Sequence, residues 1–107
     1  MANRGKICAY NQMLLDNFEI YLSYESYSPS TIKHYVDDIK MFFKWMLDFN
    51  KNKSFTNCTS NDVNRFLDYL MNVKCIGFRR TASVRRSVYL FCKYVKYIEE
   101  DDIQIVF

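Results

Sequence analysis

The sequence predicts an all-α fold, built as a compact bundle of about four helices. Apolar residues recur at spacings of three and four along most of the chain, which is the period of an amphipathic helix. Only two glycines and one proline occur in 107 residues, too few for the frequent turns of a β sandwich or barrel. Half of the residues are hydrophobic and 18% are aromatic, so a chain of this length can bury a core.

The first two helices are predicted from their apolar stripes. The first runs from about Asn11 to Glu25, after an N-terminal tail of residues 1–10. The second has the clearest beginning, because Ser28 is a natural N-cap and Pro29 suits the first helical position. Its stripe comprises Ile32, Tyr35, Val36, Ile39, Phe42, Phe43, Met46 and Leu47. The adjacent pair Asp37 and Asp38 is expected on the solvated face.

The other two helices follow a polar loop. The third begins at Thr59, which together with Asp62 resembles a capping box. Its predicted buried stripe consists of Val63, Phe66, Leu67, Leu70 and Met71. The fourth helix is predicted from about Phe78 to Ile98. Its predicted buried stripe consists of Val84, Val88, Phe91, Val95 and Ile98. Residues 11–98 are thus expected to form the helical domain.

Positive charge is concentrated on the fourth helix. Seven basic residues and no acidic ones lie between Lys74 and Ile98, whereas residues 1–73 contain eight of each sign. Arg79, Arg86 and Lys93 are seven residues apart, so they form a ridge opposite the apolar stripe. Such a stripe is typical of a surface that binds a polyanion, most often nucleic acid. The alternative interpretation is a solvated basic face without a partner.

The inventory of side chains argues against catalysis by this chain. His34 is the only histidine, so most constellations that need a positioned base are excluded. Gly5 and Gly77 are isolated and form no phosphate-binding loop. The four cysteines form no C-x-x-C pair or Cys/His cluster, and Cys92 fits a core position. No cofactor and no metal are expected. There is no signal peptide or transmembrane-length apolar run, so a cytoplasmic protein without a membrane partner is expected.

The segment 28–46 resembles the signature of the core-binding domain of tyrosine recombinases, the phage-integrase family. The signature reads roughly S-x-x-T-x-x-x-Y-x-x-D-L-x-x-F-x-x-W-L. This chain fills it with Thr31, Tyr35, Asp38, Ile39, Phe42, Trp45 and Met46. Residues 59–67 look like the family's third helix, and residues 79–95 resemble its basic final helix. The resemblance covers about residues 11–102.

The resemblance implies a SAM-like helical domain that forms one half of a C-shaped clamp on DNA. In the family, the second and fourth helices lie against the duplex, and a catalytic domain follows on the C-terminal side. The catalytic motifs of that domain are absent from this sequence, so the chain is expected to be the non-catalytic part of a tyrosine recombinase. Residues 99–107 are then the start of the interdomain linker. The expected partners are double-stranded DNA and other recombinase protomers, with the isolated domain monomeric.

The candidate DNA-binding residues lie on the second and fourth helices. They are Ser30, Thr31, Lys33, His34, Lys40, Lys44, Arg79, Arg80, Ser83, Arg85, Arg86 and Lys93. Most are expected to contact phosphates, while Lys33, His34 and Ser83 are the candidates for base edges. The competing hypothesis is a helical protein-interaction module whose basic face docks an acidic partner. A stand-alone DNA-binding regulator and a base-stacking platform for single strands are further alternatives.

Overall fold

The computed structural model describes residues 5–107, and these residues contain four α-helices and no β-strand. The helices are α1 (Ala9–Tyr24), α2 (Pro29–Phe49), α3 (Ser60–Asn72) and α4 (Phe78–Tyr97). A short 3-10 helix, Phe55–Asn57, lies between α2 and α3. The predicted all-α class is confirmed. The chain divides into two units, one of residues 1–55 with α1 and α2, and one of residues 56–107 with α3 and α4.

The beginnings of α2 and α3 follow the local signals in the sequence. Ser28 caps α2, because its Oγ accepts a hydrogen bond of 3.3 Å from the Thr31 amide, and Pro29 occupies the first turn. Thr59 and Asp62 form the predicted capping box at α3. The Thr59 amide donates to Oδ2 of Asp62 at 2.9 Å, and the Asp62 amide donates to Oγ1 of Thr59 at 3.3 Å. Both predicted helix starts are confirmed.

α1 begins at Ala9, two residues earlier than the sequence predicts. Its N-cap, Cys8, makes no side-chain cap, so no local signal marks this position. Instead, the Cys8 amide donates to Oδ1 of Asn52 at 3.2 Å, and the Asn52 Nδ2 donates to the Lys6 carbonyl at 3.0 Å. A contact with the loop after α2 therefore holds the start of α1.

In the first unit, α1 packs against α2, and the loop after α2 is tied back to α1. Asn11 is fully buried and makes two hydrogen bonds to that loop. Its Nδ2 donates to the Lys53 carbonyl at 2.9 Å, and its Oδ1 accepts from the Phe55 amide at 2.7 Å. The Phe55 ring then lies edge-on to the rings of Phe42 and Phe43, at centroid distances of 6.4 and 6.1 Å. A single buried amide thus places the aromatic ring that extends this core.

In the second unit, α3 contacts α4, and residues 104–106 return to the start of α3. Gln104 forms an isolated parallel bridge with Thr59. The Val106 amide donates to Oγ of Ser60 at 2.8 Å, and the Ser60 hydroxyl lies 3.1 Å from the Val106 carbonyl. Ile105, between these residues, is buried. The segment predicted as the start of a linker is thus hydrogen-bonded to its own unit, while its role as a linker stays a prediction.

Three residues differ most in burial from the sequence-based prediction. Met71 and Ile98 were expected on buried stripes, but their side chains are 41% and 52% exposed. Met71 lies next to the last residue of α3 and Ile98 is the C-cap of α4, where the buried stripe runs out. Asp38 was expected to be solvated but is fully buried. It lies about 100° round the helix from the exposed Asp37, and Nε2 of His34 lies 3.5 Å from its carboxylate.

Candidate nucleic-acid interface

The outer face of α4 carries a row of exposed basic side chains. We call Arg79, Arg86 and Lys93 the basic ridge. Each is exposed, and each is separated from the next by seven residues, about 20° short of two helical turns. The buried stripe of α4 lies on the other side and includes Val88 and Phe91, both fully buried. The helix therefore presents one face to the core and its charge to solvent, as the sequence predicts.

Beside the basic ridge lies a second exposed strip, which we call the flank. It consists of Arg85, Tyr89 and Lys96, which fall within about 20–40° of one another around the helix axis. The Tyr89 side chain is 44% exposed, so an aromatic ring sits among the cations of this face. The ridge and the flank together make α4 basic over most of its exposed circumference.

Three of these cations lie over aromatic rings. The pairs are Arg85 with Phe107 at 5.0 Å, Lys93 with Tyr89 at 5.6 Å and Lys96 with Tyr97 at 5.5 Å, measured from the charged group to the ring centroid. A contact of this kind is worth about 0.5–1 kcal/mol at an exposed site. Since a ring carries no net charge, these contacts restrain the side chains without neutralising them.

No carboxylate of residues 5–107 is paired with a cation of the basic ridge or the flank. The chain has no acidic residue between Lys74 and Ile98. Within residues 5–107, none of the ion pairs involves a ridge or flank cation. The first acid after α4, Glu99, accepts a hydrogen bond from the Tyr94 hydroxyl. Among the described residues, the positive charge of the ridge and the flank thus has no carboxylate partner, which favours an anionic partner.

Two predicted site residues of α4 lie off the ridge. Arg80 is exposed but is rotated about 100° from Arg79, so it points away from the line of the other arginines. Ser83 is half-buried, and its backbone carbonyl accepts a hydrogen bond of 3.3 Å from the Ser87 hydroxyl. The structure therefore brings together Arg79, Arg85, Arg86 and Lys93, with Arg80 and Ser83 at the margin of that surface.

The first turn of α2 gathers three hydroxyl groups. The Ser28 hydroxyl donates to Oγ1 of Thr31 at 2.9 Å, and its Oγ lies 3.3 Å from Oγ of Ser30. Ser30 is exposed and Thr31 is half-buried. The N-cap interaction and these hydroxyl contacts fix the rotamers of the turn, so its polar groups form a preformed surface.

The lysines of α2 lie in a neighbourhood of mixed charge. Nζ of Lys33 lies 2.7 Å from Oδ2 of Asp37. This hydrogen bond lowers the pKa of Asp37 and raises the pKa of Lys33. Lys33 and Lys40 also line an open groove of about 640 Å³ along α1, together with Glu19 and Asp37. The exposed Lys44 lies further along α2, beside the residues that precede α1.

His34 is held by a buried carboxylate. Its side chain is 46% exposed, and its Nε2 lies 3.5 Å from Oδ2 of Asp38, which is fully buried. The ring centroid of Tyr35 lies 5.9 Å from the imidazole. Asp38 therefore restrains the direction of a partly exposed imidazole at the start of α2, and the sequence motif that contains Asp38 did not reveal this contact.

The described residues offer no metal centre, and no helix among them has the length and apolar character to cross a bilayer. A shallow pocket of about 240 Å³ lies between α4 and residues 103–107. Cys92 lines it, and burial raises the pKa of this thiol to about 12. A thiol with that pKa is protonated near neutral pH, so Cys92 behaves as the core residue that the sequence predicts.

Comparison with protein families decides the family of this fold. The chain matches the family model described as phage integrase, N-terminal SAM-like domain, over residues 14–104. The chain belongs to this family. The matched part of the SAM-like domain includes all of α2, α3 and α4, and it extends to Gln104 beyond the last helix. The comparison with curated proteins and the comparison with solved structures each returned no match.

The SAM-like domain also has exposed aromatic residues that the sequence did not single out. Phe107 lies in the segment expected to start the interdomain linker, yet its ring lies against Arg85 and Tyr89 on α4. Phe78, the first residue of α4, has a side chain that is 77% exposed. No local pattern identifies either position. The position of Phe107 depends on contacts with residues 18 or more positions earlier in the chain, and the exposure of Phe78 depends on how the chain packs around the start of α4.

Proposed function

We propose that this chain binds duplex DNA through the outer face of α4, as the N-terminal clamp half of a site-specific tyrosine recombinase. The observation that carries the proposal is the charge of Arg79, Arg85, Arg86 and Lys93 on one exposed face, where residues 5–107 offer them no carboxylate partner. Membership of the phage-integrase SAM-like family supports the same direction. Phosphates are the groups that such a face recognises, since arginine forks match their geometry.

The dimensions of the basic ridge suit a DNA backbone. Arg79 and Lys93 are separated by 14 residues, which corresponds to about 21 Å along the helix. At 3.4 Å per base step, this length corresponds to about six steps of a duplex. Contacts along the ridge would set the register of the protein on the DNA and carry little sequence information themselves.

The first turn of α2 is proposed as the second contact, and as the one nearer to the bases. Ser30 and His34 have exposed polar side chains, and their geometry is fixed by Ser28 and Asp38 respectively. Hydroxyl and imidazole groups can exchange hydrogen bonds with base edges in the major groove. Lys33, Lys40 and Lys44 are proposed as weaker phosphate contacts, because acidic groups lie close to Lys33 and Lys40.

The proposal extends to a longer protein of which this chain would be the N-terminal part. A catalytic domain on the C-terminal side would supply the strand-exchange chemistry, and this chain would position the duplex for it. Other recombinase protomers would then be its partners on DNA, with the isolated domain monomeric and the protein cytoplasmic. Sequencing of the gene downstream of Phe107 distinguishes a recombinase from a stand-alone DNA-binding regulator.

A titration of the ¹⁵N-labelled chain with a short duplex tests the DNA-binding proposal. Amide shifts are expected at residues 30–34 and 79–93, and they should fade when salt is added. If about five phosphates are neutralised, the plot of log K against log salt should have a slope of about −4 to −5. An absence of shifts at low salt, or shifts confined to α1 and α3, would contradict the proposal.

The second candidate function is a helical protein-interaction module with a basic docking face. It is favoured by the exposed apolar side chains before and at the start of α4, since Val73 is 66% and Phe78 is 77% exposed. If the chain is such a module, polyglutamate should bind it as tightly as the duplex does. Polyglutamate should then displace the chain from DNA when the two polyanions are present at equal charge concentration. The DNA-binding proposal predicts that the duplex binds more tightly than polyglutamate at every salt concentration.

A further inference from the structure

The end of the second unit reaches the basic face of α4 through one aromatic ring. The Phe107 ring centroid lies 5.0 Å from the guanidinium carbon of Arg85 and 5.3 Å from the Tyr89 ring, which it meets edge-on. Phe107 is still 42% exposed, so its ring is not simply a core side chain. The contact brings a residue outside α4 into the middle of the predicted DNA-binding face.

The backbone that leads to this ring is anchored. Val106 exchanges hydrogen bonds with the Ser60 hydroxyl, and Ile105 is buried. The Gln104 side chain donates to the Thr56 carbonyl at 3.2 Å. These contacts hold residues 104–106 against the start of α3. The position of Phe107 relative to α4 is consequently fixed by the fold of its own unit.

A guanidinium that lies over a ring keeps its hydrogen-bond donors available. When the guanidinium stacks on the ring, the contact uses the face of the group, and the N–H donors point outward in its plane, where a phosphate can accept them. An exposed arginine otherwise loses rotamer freedom when it binds, and that loss weakens binding. Arg85 has no ion pair within residues 5–107, so Phe107 is the group that restrains it.

We infer that Phe107 is a positioning residue for DNA binding, which holds the Arg85 guanidinium in place for a backbone phosphate. The inference rests on the proposed DNA-binding function of α4 and assigns a role to the segment after that helix. Residues 104–107 then belong to the interface through the Phe107 side chain, in addition to any role as a linker.

A double-mutant cycle on the 107-residue chain tests this inference. Phe107→Ala should weaken duplex binding about two- to fivefold, the factor that corresponds to one exposed cation–π contact. In an Arg85→Ala background, Phe107→Ala should have no further effect, because the group that it positions is gone. Phe107→Trp should bind at least as tightly as the parent, since tryptophan is the best ring for a cation.

The control is Val106→Ala, which changes an adjacent, exposed side chain and keeps the backbone contacts with Ser60. It should bind DNA like the parent. Side-chain ¹⁵N spectra supply a second readout, since the Arg85 Nε–H resonance should shift to an averaged position in Phe107→Ala. Unchanged or tighter binding by Phe107→Ala would overturn the inference, as would an equal loss in the Arg85→Ala background. If Arg86→Ala weakens binding but Phe107→Ala does not, only this inference fails; if the parent does not bind, the proposed function fails.

Discussion

The outer faces of α2 and α4 differ in the groups that surround their cations. Both helices are amphipathic and of similar length, with 21 and 20 residues. On α2, Lys33 is paired with Asp37 at 2.7 Å, and Lys40 lies in a groove that also contains Glu19. On α4, the ridge cations Arg79, Arg86 and Lys93 have no carboxylate partner within residues 5–107.

This difference shows why a count of basic residues does not locate a binding surface. A lysine that is already paired must lose its partner, or share it, before it contacts a phosphate, whereas an unpaired arginine gives up only water and counterions. The two helices carry comparable numbers of candidate residues, yet their potential to bind an anion is unequal. In the proposed complex with DNA, α4 should therefore supply most of the electrostatic free energy of binding, and α2 should supply the contacts that depend on geometry.

The largest expected effect tests whether the inner faces of the two helices are equivalent. Phe42 on α2 and Phe91 on α4 are both fully buried. Replacement of either by alanine should lower the free energy of unfolding by about 3–5 kcal/mol, because a cavity replaces the ring. Urea unfolding followed by circular dichroism measures this effect. Phe78→Ala, at a side chain that is 77% exposed, should change the stability by less than about 0.5 kcal/mol. A Phe42→Ala variant as stable as the parent would remove that face of α2 from the core.

The next effect separates the outer faces directly. Arg86→Ala should reduce the magnitude of the salt slope of duplex binding by about one, because one phosphate contact is lost on all sequences. Lys33→Ala removes the same formal charge but should change the slope much less, since its partner Asp37 already neutralises it. Fluorescence anisotropy over a range of salt concentrations gives both slopes. An unchanged slope for Arg86→Ala would exclude this residue from the interface, and an equal loss for Lys33→Ala would show that the pairing on α2 does not matter.

Features set by local chemistry could be predicted from the sequence. The Ser28 cap and the capping box of Thr59 and Asp62 depend on atoms three residues apart, so residue type and spacing are sufficient. The ridge of Arg79, Arg86 and Lys93 follows from the helical period alone. These features include the elements that hold the candidate interface, which is why the sequence is sufficient to indicate the family resemblance and the all-α class.

Features set by contacts between distant residues could not be predicted. Asn11 reads as an ordinary polar residue at the start of a helix, and only its bonds to Lys53 and Phe55 explain its complete burial. Asp38 reads as the twin of Asp37, but a rotation of about 100° places it inside the fold. The contact of Phe107 with Arg85 depends on a chain reversal after α4, for which no periodic signal exists.

A smaller effect should follow when the pairing is exchanged between the two helices. Ala82→Glu places a carboxylate four residues before Arg86, where such a pair stabilises a helix by about 0.2–0.5 kcal/mol. It should therefore weaken DNA binding by about 1.4- to 2.3-fold, the factor that corresponds to this energy, while Ala82→Gln leaves the affinity nearly unchanged. Asp37→Ala should do the reverse on α2 and strengthen binding, because it releases Lys33. If neither Ala82→Glu nor Asp37→Ala alters the affinity, the unpaired state of the ridge cations is not what makes that face bind.

The smallest expected effect concerns the pH range over which Lys33 stays paired. Its hydrogen bond lowers the pKa of Asp37 and raises its own pKa. Because the pKa of Asp37 is lower in the folded state, its contribution to folding stability is present above its unfolded pKa. That contribution is lost as the pH falls through the lower, folded pKa. Because the pKa of Lys33 is higher in the folded state, its contribution to folding stability is present below its unfolded pKa. That contribution is lost as the pH rises through the higher, folded pKa. An NMR titration should find Asp37 below the usual aspartate range, and Lys33→Met should return it toward that range. A normal pKa for Asp37 in the parent would mean that Lys33 is free in solution. The pair is intact between these limits, so at neutral pH α2 enters any encounter with DNA already neutralised at this position, whereas α4 does not.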